Sequence, residues 1–104
     1  MISKHYKDVQ PESIEDEPGL TVRWLITGAD GAPGFAMRYM TVAPGASSPH
    51  HRHSWEHEVY VLGGEGVVRS EAGDSRVKPG CAVYIEPDEL HQFVNQGEQP
   101  LTFL

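Results

Sequence analysis

The chain of 104 residues has a single cysteine, Cys81. An internal disulfide framework is therefore excluded. Cys81 follows Gly80 at the start of an apolar run and reads as a small buried residue rather than a nucleophile. Basic residues are scarce: 8 Lys and Arg stand against 15 Asp and Glu, for a formal net charge of −7. With no basic run and no platform of aromatics and arginines, this excludes a general affinity for nucleic acid or anionic lipid. Long apolar runs are missing as well. Val59-Tyr60-Val61-Leu62 is typical of what is present, whereas a membrane-spanning helix needs about 20 apolar residues. The opening MISKHYKDVQPESIEDEP has no apolar stretch of the kind a secretory signal carries. The expectation is a soluble cytoplasmic protein. There is also no internal repeat, no low-complexity linker and no long segment with helical periodicity.

Short runs rich in Val, Tyr, Ile, Phe and Thr fill the chain from Leu20 onward. They are LTVRWLIT (20–27), FAMRYMTV (35–42), EVYVL (58–62), GVVRS (66–70), CAVYIE (81–86), HQFVN (91–95) and LTFL (101–104). Between them stand GADGAPG, APGASSP, GGEG, EAGDS, KPG, PDE and NQGEQP, which carry the Gly, Pro, Asn and Asp that turns require. Recurring short strands with turn residues between them predict an all-β domain, as a double-sheet jelly roll or small barrel. Residues 1–19 are polar and acidic, with Pro11 and Pro18. They read as a lead-in segment with one short strand, or a helix somewhere in 8–18, ahead of a barrel domain over 20–104. The last run stops inside a strand, which points to a truncated end.

Four of the six histidines fall within PHHRHSWEHE (49–58). They are spaced and mid-chain, unlike a purification tag. On a strand, residues two apart face the same side. His51 and His53 can therefore converge on one ion while His50 and Arg52 face away. After the short connection Ser54-Trp55-Glu56, a chain that turns back returns His57 beside the pair. His91 follows a Pro-Asp turn and opens another apolar strand. Imidazoles gathered from three strand ends make a nitrogen-rich site suited to transition metals. His5 lies in the lead-in and reads as surface.

These residues resemble the motifs of the cupins. The first cupin motif runs Gly, five residues, His-x-His, three or four residues, Glu, six residues, Gly. Here Gly45, His51, His53, His57 and Gly64 keep that spacing, with His57 standing where Glu is usual. Glu58 fits the four-residue variant of the spacing, so the third ligand is His57 or Glu58, with His57 favoured by the count to Gly64. The second motif runs Gly, five residues, Pro-x-Gly, two residues, His, three residues, Asn. Gly80, His91 and Asn95 match it, while Glu86 stands at the Pro, Pro87 is shifted by one and Asp88 replaces the turn Gly. Asp tolerates the left-handed conformation better than most residues, so the turn is expected to survive. The resemblance covers residues 45–95 and implies a cupin-type double-stranded β-helix. It is most similar to small single-domain cupins whose metal is held by four histidines. It implies His51, His53, His57 and His91 as ligands of a divalent transition metal, manganese first, with iron, nickel, cobalt, copper and zinc as alternatives.

Four neutral imidazoles leave the full charge of a divalent ion uncompensated. Such a site favours water, hydroxide or an anionic substrate. With open coordination positions it is a reactive centre rather than a closed structural one. Arg38 either points inward, holding an anion beside the ion, or lies on the outer face. Met40, Phe93 and Phe103 line an apolar substrate pocket in this reading, or simply pack the core, and Trp55 covers the mouth. Trp24 is expected in the core. Glu56 and Glu58 are candidates to orient a ligating imidazole, and Arg38 and Tyr60 are the candidate catalytic groups.

Three functions are expected, in this order. The first is a metal-dependent oxidoreductase of the dioxygenase type acting on a small organic substrate. The second is an isomerase or lyase using the metal as a Lewis acid. The third is a non-enzymatic module that binds a small molecule or metal. Exposed sheet edges lead to the expectation of a homodimer, through N-terminal strands or sheet faces.

Overall fold

A computed structural model describes all 104 residues. It contains nine strands: β1 (Glu12–Ser13), β2 (Leu20–Ile26), β3 (Met37–Val42), β4 (His57–Gly63), β5 (Gly66–Ser70), β6 (Gly73–Val77), β7 (Ala82–Ile85), β8 (His91–Val94) and β9 (Leu101–Phe103). All pairings are antiparallel. They give a six-stranded sheet of order β1-β2-β3-β9-β4-β7 and a three-stranded sheet of order β6-β5-β8. The two helical pieces are single 3-10 turns, Tyr6–Asp8 and Gly28–Asp30. No helix is long and apolar enough to cross a membrane.

Alternation along the strands builds the interior. β4 buries Val59 and Val61 and exposes Glu58, Tyr60 and Leu62. β2 buries Leu20 and Val22, and β9 buries Leu101 and Phe103. Twelve buried apolar residues from both sheets form one cluster. Phe93 of β8 stacks on Phe103 of β9, with centroids 4.5 Å apart, and so joins the sheets. Val42, Val61 and Leu101 are fully buried. Each such side chain contributes roughly 1.5–3 kcal/mol, so this layer, rather than the polar edge strands, holds the sheets together. Two sheets closed over one core make a jelly-roll barrel.

The structure departs from the sequence reading in four places. β6, read as part of a turn, is a strand whose first four residues are exposed. It has no apolar alternation to betray it and forms by pairing with β5. The helix considered for 8–18 is absent; Pro11 and Pro18 interrupt that stretch, and β1 pairs with β2. Trp24 shares the inner face with Leu20 and Val22 but is 41% exposed, near the point where the β2–β3 register shifts. The lead-in is fastened to the barrel rather than merely preceding it. Arg23 donates to the carbonyls of Tyr6 and Val9 at 3.2 and 2.6 Å. Tyr6 stacks on Tyr39 at 4.5 Å, and Ile14 packs against the core.

The turns follow the glycine pattern where it matters most. Gly64 has φ 76°, and a Cβ there would run into the carbonyl of Pro100. Asp88, which replaces a turn glycine, takes φ 65°, so the bend before His91 survives the substitution. Cys81 is half-buried against the core.

Candidate metal centre

Beyond β3 the chain turns back and runs antiparallel to β8. Gly45 N–H donates to the carbonyl of Asn95, and Asn95 N–H donates to Ala46, both at 3.0 Å. Ser48 N–H donates to Phe93 at 2.8 Å, while Phe93 N–H donates back to Ser48 Oγ at 2.8 Å. This ladder ends with His51 and His91, which bridge each other. Directly paired residues of an antiparallel ladder project on the same side, so the pairing brings the two imidazoles together. Asn95 anchors the other end. It is 1% exposed, its Nδ2 donates to the carbonyls of Val42 and Gln99 at 2.9 and 2.8 Å, and its Oδ1 accepts from Gly97 N–H at 2.9 Å.

One ring nitrogen from each of His51, His53 and His91 lies within 4.8 Å of the others. His57, the first residue of β4, adjoins them, with its Nε2 2.8 Å from Nε2 of His53. His57 shares the inner face with Val59 and Val61, and strand alternation turns Glu58 outward beside Tyr84 of β7. His50 is exposed and outside the cluster. His5 caps the first 3-10 turn, its Nδ1 accepting from Lys7 N–H at 3.2 Å.

Backbone carbonyls, not carboxylates, orient two of the rings. Nδ1 of His53 lies 2.9 Å from the carbonyl of Trp55, and Nδ1 of His91 lies 2.8 Å from that of Glu89. A carbonyl only accepts, so each Nδ1 carries the proton and each Nε2 presents a lone pair. Glu56 and Glu58 do not fill the orienting role considered for them. Trp55 lies flat on His53, with centroids 4.4 Å apart and planes 8° from parallel. It backs that ring from the solvent side rather than lining the cavity. A hydrogen bond from Asp88 N–H to the carbonyl of His53 at 2.7 Å ties the His53 segment to the turn before His91.

The donor set suits a transition metal. Two imidazole nitrogens at adjacent positions around an ion about 2.1 Å away stand about 3 Å apart, close to the His53–His57 separation of 2.8 Å. The local electrostatics favour the neutral form of His51 and His57. Burial, then the Arg38 guanidinium and the other three imidazoles, pushes His57 from the ordinary 6.5 down to about 4. Burial, followed by His91, His53 and Arg38, also lowers His51, while Glu17 opposes the shift.

A cavity of about 660 Å³ adjoins the cluster, with His51, His57 and His91 among its lining residues. Arg38 points into it, as do Met40, Phe93 and Phe103. Ile14 also lines it, a contribution missed in the sequence although Ile14 is an isolated apolar residue in a polar segment. Tyr60 was a candidate catalytic group in the sequence. It is 50% exposed, faces outward from β4 and does not line this cavity, because it lies an odd number of residues from His57.

Residues 38–104 match the family described as Cupin domain. An oxalate-binding protein of Thermotoga maritima is 36% identical over 66 residues, which are 62% of this chain and 54% of that protein. The chain thus spans about half the length of this curated relative. Among solved structures, the polyketide cyclase RemF of Streptomyces resistomycificus superposes with a TM-score of 0.91 at 36% identity, over 99% of this chain and 75% of RemF. A predicted oxalate decarboxylase of Thermotoga maritima gives 0.85 at 27% identity, over 98% and 94%. A sugar phosphate isomerase from Silicibacter pomeroyi gives 0.81 at 24%, over 98% and 72%, and carries the fold alone.

Proposed function

The chain belongs to the cupin domain family, and from that premise we propose that it is a metal-dependent enzyme activating a carbonyl group by Lewis-acid chemistry, as a cyclase, isomerase or lyase does. The observation that carries this reading is the cluster of imidazoles, with no carboxylate among them, at the wall of a largely apolar cavity. His51, His53, His57 and His91 would hold the ion through ring nitrogens, manganese and zinc being the first candidates. A divalent ion held this way supplies a Lewis acid whose charge the ligands do not reduce. Met40, Phe93 and Phe103 exclude water from the reacting region and strengthen electrostatic interactions there. Two similar proteins are named for a cyclisation and a predicted decarboxylation, which supports carbon-skeleton chemistry.

The test is a metal-swap series on β-keto acids and aromatic ketones. Turnover retained with zinc supports the Lewis-acid reading. Turnover confined to manganese or iron and accompanied by oxygen uptake would overturn it in favour of a dioxygenase-type oxidoreductase. That second reading draws on the same histidine cluster, since the cavity beside it has room for dioxygen as well as substrate.

A homodimer is part of the proposal. β1 pairs with β2 of its own chain, which favours packing of sheet faces over exchange of N-terminal strands in this reading. Tyr60, Leu62 and Tyr84 are exposed on the β4 and β7 strands of the six-stranded sheet and give it an apolar face.

A further inference from the structure

Arg38 stands out among the cations of the chain. Lys4, Arg52 and Arg69 are paired with Asp30, Glu71 and Asp74, and Arg23 donates to two backbone carbonyls. The Arg38 side chain forms no hydrogen bond or ion pair with any residue, although it is half-buried in a chain of net charge −7. Its guanidinium lies 5.6 Å from the centroid of the Trp24 ring, and Trp24 faces it across the β2–β3 ladder. A guanidinium laid over an indole keeps its plane fixed and its N–H fork free, the arrangement that receives a carboxylate with two parallel hydrogen bonds.

We infer that Arg38, held by Trp24, is the seat for the single anionic group of a mostly apolar substrate, an aromatic or fused-ring carboxylate. This rests on the reading of the cavity as the substrate site of a metal enzyme and adds the substrate class. Size and lining argue against a small dianion. The cavity of about 660 Å³ is walled by Ile14, Met40, Phe93 and Phe103. Oxalate would leave those apolar walls in contact with water. A ring system on the apolar walls with one carboxylate at Arg38 fits both the size and the lining.

The test uses the metal-loaded protein, its metal content measured first, and titration calorimetry with 2-naphthoate, 2-naphthamide and oxalate. Arg38→Met keeps the stem on Trp24 and removes the charge; Arg38→Lys keeps the charge and loses the planar fork. Naphthoate is expected to bind more tightly than oxalate. It should weaken by about tenfold or more in Arg38→Met and by less in Arg38→Lys, in line with a lost charge-assisted hydrogen bond, while naphthamide is unaffected. Equal naphthoate affinity in wild type and Arg38→Met, or tighter binding of oxalate than of naphthoate, would overturn the inference. Metal-free protein is titrated alongside. Arg38-dependent naphthoate binding there, with no turnover by any metal-loaded form, leaves the anion seat standing and removes the metal-enzyme reading. Turnover by the loaded protein with no charge discrimination at Arg38 does the reverse.

Discussion

His51 and His91 exchange both of their backbone hydrogen bonds, at 3.2 and 3.0 Å, and their rings stand 5.2 Å apart. The ladder that closes the barrel is thus the device that assembles the centre. A metal held by these two imidazoles would link its binding to the folding of this region.

Removing ligands is the first prediction. His91→Ala, His53→Ala and His57→Ala should each lower bound metal well below stoichiometry, measured by elemental analysis of purified protein. His50→Ala and Glu58→Ala should retain it. Loss of metal in Glu58→Ala with retention in His57→Ala would reverse the assignment at the start of β4.

The second concerns pH. In the metal-free protein His57 has its pKa depressed to about 4 from 6.5. Between these values the unfolded chain takes up a proton that the folded chain refuses. Stability should therefore fall as pH drops below about 6.5 and level off below about 4 for this group. Thermal melts of metal-free protein across that range, compared with His57→Gln, read the effect; the variant should show a shallower slope. Because Arg38 is the second cause of the shift, NMR titration of Arg38→Met should show His57 moving back toward 6.5.

A third prediction separates scaffold from chemistry. Asn95→Ala strips the partner from buried groups at the head of the ladder and should cost ~1–3 kcal/mol in denaturant melts. Gly64→Ala forces a side chain into left-handed backbone against Pro100 and should also cost ~1–3 kcal/mol. Neither residue touches the cluster, so both variants should still load metal at low temperature. Failure to load in a folded variant would show that the ladder's far end sets the ligand geometry.

The dimer gives the fourth. Light scattering at micromolar concentration should show two copies, and Tyr60→Glu with Tyr84→Glu should give monomers that still bind metal. A wild-type monomer would remove the proposal.

The sequence alone was enough for the all-β architecture, because turn residues recur too often for helices of ordinary length. It was also enough to single out His51, His53 and His91, since a period of two and the spacing to Gly45, Gly80 and Asn95 survive without coordinates. It left Arg38, Trp24 and Tyr60 open or misplaced for one physical reason. Alternation says which residues share a face, but where both faces carry apolar groups, only the sheet that packs against one of them decides which face is inside. In β4 that packing buries Val59 and Val61, and with them it turns His57 inward and Tyr60 out. Tertiary pairing likewise made a strand of the polar Gly73–Val77 and aimed Arg38 into the cavity. The identity of the donors was local information; the charge and apolar walls around them were not.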